Sequence, residues 1–297
     1  MKQALLYLVT QTPLHAGAGS TSGVVDLPVA REKHTRYPLI PGSALKGALR
    51  HKAWAELIDN KQSNGTKAEW LKAFGPEAGE ADDAREAGNL TLCDARLLAF
   101  PVRSLRGVWA YATCPAVLAR WSRDLTLIGK TAPTLPTWPQ PFREGQALVG
   151  DPGCGLFIEK DKIVLDEYSY NVATDQKVDV LAKQLAGEIF PTASGFEYFR
   201  SKFGRDLIVL SDDDFADFAE HGTQVQARIR IDYATRTVAD GALFYEEAVP
   251  PETVFYTLVL DRDGVSLDFL KDTVGLDVLQ LGGDQSTGRG FLRGNVR

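Results

Sequence analysis

Lys46 and Arg50 stand four residues apart, just after Pro41-Gly42-Ser43. That spacing sets two cations on one face in the opening turns of a helix. The helix dipole, the unpaired first amides and the two cations act with the same sign, and the group they suit is a phosphate. Gly47 lies between them. Its cost in a helix interior is about 1 kcal/mol against Ala, and close approach of another backbone would justify it. A second candidate is the run Leu281-Gly282-Gly283-Asp284-Gln285-Ser286-Thr287-Gly288-Arg289-Gly290. Between two strands it reads either as a flexible turn or as a loop that wraps a phosphodiester with N–H donors, Arg289 adding charge. A third is the Gly/Ser/Thr-rich loop at residues 12–23, which carries His15. No βαβ unit surrounds the glycines, so they are no dinucleotide fingerprint. The order of glycine, lysine and hydroxyl around Lys46 is not that of an ATP-binding P-loop. Asp212-Asp213-Asp214 looks like metal bait but reads as a helix N-terminus favoured by the dipole.

These residues need elements to hold them. Residues 4–9 read as a strand. Ser43 reads as the N-cap of a helix whose apolar stripe is Leu45, Ala48, Leu49, Ala53 and Leu57. A polar insertion at 59–89 contains a short helix at 68–74, and strands are expected at 90–99 and 108–113 with a helix at 116–128. Residues 129–155, rich in Pro and Gly, read as a linker, followed by helices at 178–189 and 213–220. Val225, Ala227, Ile229 and Ile231 alternate with Gln226, Arg228 and Arg230, which with residues 242–246 predicts a long hairpin with one basic face. A strand at 254–260, a helix at 266–273 and a strand at 278–281 complete the reading.

The chain has 297 residues, 33 Lys+Arg against 39 Asp+Glu and a net charge of −6. Its apolar content is that of a folded protein, which excludes wholesale disorder. No apolar run reaches the length of a membrane span. The N-terminal run alternates like a strand and has no small-residue cleavage site, so the expectation is a cytoplasmic protein without a signal peptide. Cys93, Cys114 and Cys154 show neither zinc nor disulfide spacing. The charge is uneven: residues 31–53 hold six Lys or Arg and one acid, Glu32, and residues 103–130 hold five against Asp124. Such stretches are either a cationic stripe felt by nucleic-acid phosphates or scattered solvated charge.

Six collinear segments carry a resemblance: residues 12–19 (Thr-Pro-Leu-His-Ala-Gly-Ala-Gly), 25–32 around Asp26, 40–50, 94–104, 243–247 (Leu-Phe-Tyr-Glu-Glu) and the glycine loop at 282–290. The chain resembles the RAMP superfamily of CRISPR-associated proteins, and within it the backbone subunits of type III-B (Cmr) effector complexes. The resemblance covers most of the chain but not residues 129–155, part of 59–89 or most of 156–222. It implies an α+β fold, an RRM-like (ferredoxin-like) palm with large inserted loops and a protruding β-hairpin thumb, in a single domain. The palm is expected at about 1–58, 90–128 and 254–297, with an insertion at 59–89, a linker and helical insertion at 129–222 and the thumb at 223–248.

By the same resemblance the partners are guide CRISPR RNA, paired single-stranded target RNA, further copies in a filament and other Cmr subunits, with no membrane. The implied activity is metal-dependent endonucleolytic cleavage of the target, with Mg2+ or Mn2+ as the divalent cation. Asp26, between Gly23 and Pro28, matches the family's loop acid. A carboxylate there would act as base toward the RNA 2′-hydroxyl or hold the metal. His15, Tyr245 and Glu246 are expected to assist. Lys46, Arg50, Gly282, Gly283, Gly288, Arg289, Gly290, Arg228 and Arg230 are expected on guide-RNA phosphates, which position without reading sequence. The thumb tip, near residues 233–238, is expected to wedge between bases. Three alternatives stay open: a non-cutting guide scaffold, a guide-processing ribonuclease of the same superfamily, and a module whose glycine loops bind a small anion.

Overall fold

The computed structural model describes residues 1–21, 23–59, 66–76, 87–192, 195–238 and 242–297. In chain order the first half runs β1 (Lys2–Thr10), β2 (Leu39–Ile40), α1 (Gly42–Asp59), α2 (Lys67–Phe74), β3 (Leu90–Leu92), β4 (Ala95–Arg103), β5 (Trp109–Thr113) and α3 (Pro115–Leu127). The middle adds β6 (Gln146–Val149), β7 (Phe157–Glu159), β8 (Lys162–Leu165), β9 (Tyr168–Thr174), α4 (Gln176–Ile189), α5 (Glu197–Asp206), β10 (Leu207–Leu210) and α6 (Asp212–His221). Then come β11 (Gln224–Arg228), β12 (Phe244–Ala248), β13 (Val254–Asp261), α7 (Ser266–Phe269), β14 (Leu279–Gln280) and β15 (Phe291–Val296).

The fold is mixed α+β, built on one large sheet in the order β14-β15-β1-β13-β4-β5-β10-β6-β9-β8-β7, with β2 on β4 and β3 on β13. β1 lies antiparallel between β13 and β15, with Leu5 opposite Leu258 and Leu8 opposite Gly294. Ala4 to Val9 are all buried, because both faces of β1 are covered. On one face the Tyr7 hydroxyl donates to Glu188 of α4 (2.6 Å) and accepts from Trp121 Nε1 of α3 (3.0 Å). On the other, Leu6 packs with Leu276 around Gly294.

Several elements differ from the sequence expectation. α1 begins at Gly42, so Ser43 lies inside the helix rather than capping it. The Gly42 N–H instead donates to the Asp94 carboxylate (2.8 Å). The short helix within the insertion, α2, opens on a capping box, Thr66 with Glu69. The remainder of that insertion, including the acidic run at 77–86, lies outside the described residues. Residues 129–222 carry five strands, β6 to β10, that extend the main sheet, where a linker and helices were expected. The aspartates at 212–214 open α6: Ser211 caps Asp214, and Asp212 accepts the Ala116 N–H at the start of α3 (2.9 Å).

The β12–β13 turn holds Glu252 at φ 68°. Its carboxyl sits beneath Tyr111, whose hydroxyl donates to it (3.4 Å), and burial pushes its pKa up to about 7. A carboxyl raised on folding adds stability below its ordinary pKa, and that contribution is lost as pH rises toward 7. Glu252→Gln is therefore expected to leave the melting temperature nearly unchanged near pH 4 and to raise it by several degrees near pH 8. Equal melting shifts at the two pH values would refute this.

Candidate functional site

β11 and β12 form a separate two-stranded sheet, the expected hairpin, with Gln226 opposite Glu246 and Arg228 opposite Phe244. β12 uses one edge for β11. Its other edge takes two segments from the start of the chain. Leu14 and Val249 exchange backbone hydrogen bonds (2.9 and 2.8 Å), and His15 Nδ1 lies 2.7 Å from the Glu247 carbonyl oxygen. A carbonyl only accepts, so Nδ1 carries the hydrogen and the neutral ring leaves Nε2 with a lone pair. Further along the same edge the Tyr245 N–H donates to Asp26 Oδ2 (2.7 Å). Leu27 N–H donates to the Tyr245 carbonyl (3.0 Å), and Glu247 N–H to the Leu27 carbonyl (2.9 Å). Asp26 and His15 thus hang from alternate residues of one strand, with anchor points about 7 Å apart.

Glycine makes the packing possible. A Cβ on Gly17 would meet His15 Nε2 at 2.7 Å, and one on Gly282, at φ +94°, would meet the His15 carbonyl oxygen at 2.4 Å. The Gly283 N–H donates to that carbonyl (2.9 Å). The two glycine-rich loops, at opposite ends of the chain, therefore close around one histidine.

Glu246 is buried between two arginines: Oε2 lies 3.0 Å from Arg228 Nε and 3.1 Å from Arg289 Nη1. The second contact is an ion pair without hydrogen-bond alignment. Arg228 also pairs with Asp284, and Arg289 donates to Gln226. The Arg289 side chain is 7% exposed, so both guanidiniums are engaged within the chain. Glu246 Oε1 lies 3.8 Å from His15 Nδ1, while Oε2 is held by the two cations. The Tyr245 side chain is exposed, as is Arg230 beyond the end of β11. On the hairpin's other side Val225, Ile229 and Ile231 are each about half exposed. Tyr233 near the tip is fully exposed, and residues 239–241 of the tip lie outside the described ones.

Lys46 and Arg50 share a face of α1, but not the one toward the glycine loop. The Lys46 amine donates to the Leu90 carbonyl (2.9 Å); burial, then Arg50 and Arg262, lower its pKa. The Arg50 guanidinium stacks 4.5 Å from the Trp70 ring centre. The opposite face of the helix and the glycine loop enclose a groove of about 660 Å³ whose lining includes Gly47, His51, Lys52, Gly282 and Gln285. In the sequence Lys52 falls in the basic stretch at 31–53, and neither it nor His51 stands out there as a site residue. The available signal was helical spacing, since Ala44, Ala48, His51 and Ala55 form a second stripe of mostly small residues. Gly288 and Gly290 hold positive φ at the far side of the loop.

The RAMP superfamily model matches residues 7–293. Among curated proteins, the Cmr endoribonuclease Cmr4 of Pyrococcus furiosus is 36% identical over 99% of this chain and 95% of its own. The CMR subunit Cmr4 of Saccharolobus solfataricus is 24% identical over 96% of this chain and 94% of its own. Among solved structures, oligomeric Cmr4 from Pyrococcus furiosus superposes with a TM-score of 0.72 at 28% identity, covering 100% of this chain and 98% of that one. A chain of the type III-B Cmr-beta complex bound to cognate target RNA gives 0.73 at 21% identity, covering 100% and 97%, a likeness of fold. A family match over nearly the whole length, a relative above one-third identity and the mixed palm with its hairpin agree, and the chain belongs to the RAMP superfamily.

Proposed function

We propose that this chain is a backbone subunit of a type III-B RNA-guided complex, assembling with other copies and other Cmr subunits along a guide RNA and cutting the paired target RNA beside Asp26. The observation that carries the reading is the pairing of Asp26 and His15 on one strand edge, in a chain 36% identical to a relative named as an endoribonuclease. The guide lies in the groove between α1 and the glycine loop, where Lys52, His51 and backbone amides meet its phosphates. The hairpin's exposed apolar side and Tyr233 supply the wedge between bases. Among the described residues no helix is long and apolar enough to cross a membrane.

RNA supplies its own nucleophile. With the target's 2′-hydroxyl beside Asp26, the carboxylate takes its proton as the oxygen attacks the adjacent phosphorus. The bond to the 5′-oxygen breaks, leaving a 2′,3′-cyclic phosphate and a 5′-hydroxyl. The leaving oxygen takes a proton from His15 Nε2 when the ring is protonated. Backbone contacts hold both groups, so little reorganisation is needed when the RNA arrives. Among the described residues no three acidic, imidazole or thiol side chains converge as a metal cage. The Asp26 oxygen not held by Tyr245 suits Mg2+ or Mn2+ in the manner of sites completed by substrate phosphates, where the ion would neutralise phosphate charge.

The test is the chain assembled on a guide with a complementary labelled target. The expected products are a ladder of regularly spaced cuts with cyclic-phosphate ends, suppressed by EDTA while the guide stays bound. Guide binding without cuts would favour the scaffold. Cutting of precursor guide by the isolated chain would favour the processing enzyme.

A further inference from the structure

We propose that Glu247, together with Arg31, is the positioning residue of the cleavage site, fixing the Asp26 loop and the His15 ring against one strand; this rests on the Asp26 reading above. Side chains alternate along β12, so Glu247 faces the opposite way from Glu246, toward residues 27–31. It is only 6% exposed. Burying a carboxylate is costly unless donors surround it. Here three do. The Val29 N–H donates to Oε2 (2.9 Å), while Thr223 Oγ1 (2.6 Å) and Arg31 (2.5 Å) donate to Oε1. Burial alone would raise the carboxyl's pKa, but the hydrogen bonds from Thr223, Arg31 and Val29 outweigh it and hold the group below the usual range, so it stays charged.

The backbone of the same residue does the rest. Its N–H holds the Leu27 carbonyl (2.9 Å) and its carbonyl holds His15 Nδ1 (2.7 Å). Leu27, Val29 and Arg31 are thus tied to Glu247 at three successive alternate positions, and Asp26 is the residue immediately before them. Arg31 anchors the clamp in turn, donating to the last carbonyls of α6 at Ala219 (3.0 Å) and Glu220 (2.8 Å). Both Glu247 carboxylate oxygens and both terminal nitrogens of Arg31 are taken up within the chain. What they supply is the placement of Asp26 and His15.

The experiment uses the chain assembled on guide RNA, with Glu247→Ala, Glu247→Gln, Arg31→Gln and, in parallel, Asp26→Asn. Glu247→Ala is expected to slow single-turnover cleavage by about 10–100-fold while the affinity for target stays within about twofold. Glu247→Gln is expected to recover part of the rate, because its amide oxygen still accepts from Val29. Wild-type rates in folded Glu247→Ala, with Asp26→Asn inactive, would overturn the clamp and leave the Asp26 reading intact. Loss of target affinity in step with rate would also overturn it. Should Glu247→Ala fail to assemble, Glu247→Gln and Arg31→Gln decide by the same criterion. Normal cleavage by Asp26→Asn would remove the Asp26 reading and this proposal with it.

Discussion

Asp26→Asn is expected to slow target cleavage by about 10²–10⁴-fold, the range typical of a lost general base, with guide binding and assembly unchanged. Asparagine is the informative replacement because the Tyr245 N–H can still donate to its amide oxygen, as it does to Asp26 Oδ2. The backbone contacts of Leu27 with Tyr245 and Glu247 do not involve the side chain at all. The loop therefore keeps its place, and the change removes only the charge and the basicity. Single-turnover cleavage of labelled target, read beside a guide-binding titration at fixed salt, separates the two effects. A rate close to that of the unaltered chain would mean that proton removal falls to another group.

Gly290→Ala is expected to be among the most damaging single-methyl changes in the molecule. The residue sits at φ +77°, and a Cβ would come 1.9 Å from the Leu281 carbonyl oxygen. The obstacle is backbone, and Gly290 is pinned on both sides: its N–H donates to the Pro13 carbonyl and its carbonyl accepts the Leu281 N–H (both 2.9 Å). The loop must open to admit the methyl, and opening it withdraws Gly283 from His15. A loss of about 3–5 kcal/mol follows from strain and clash together, or about 10 °C in melting temperature. Gly288→Ala is the control. It too has positive φ, +84°, but nothing lies within 4 Å of its Cβ position, so about 1–2 kcal/mol is expected. Equal melting temperatures for the two variants would refute the account.

The apolar stripes of α1, α3 and α4 were readable because each repeats its period over enough residues, and β1 and β13 because their apolar runs have the length of a strand. The strands of the 129–222 region were not. β6 and β8 have four residues each and β7 three, and β10 is the apolar run Leu-Ile-Val-Leu, too short for a period to show. The cap of α1 was missed because Asp94 is remote in sequence. Asp26, His15, Tyr245 and Glu246 were named through the family resemblance, but their convergence on β12 depends on tertiary pairing that no local pattern encodes. The intramolecular partners of the basic residues were not legible either. Lys46, Arg50, Arg228 and Arg289 were expected on guide-RNA phosphates; within the chain Lys46 meets the Leu90 carbonyl, Arg50 stacks on Trp70, and Arg228 and Arg289 pair with Glu246 and Asp284. A basic residue in a sequence does not disclose which distant acid or ring will cover it.

The place of β1 between β13 and β15 has a kinetic side. Leu5 waits for Leu258 and Leu8 for Gly294, so the central ladder closes only after nearly the whole polypeptide is available. Contacts of such long separation form slowly. Until they do, Ala4-Leu5-Leu6-Tyr7-Leu8-Val9 is an uncharged, sticky ribbon with two open edges. Refolding yield should therefore fall with protein concentration and recover when a holdase chaperone masks that ribbon.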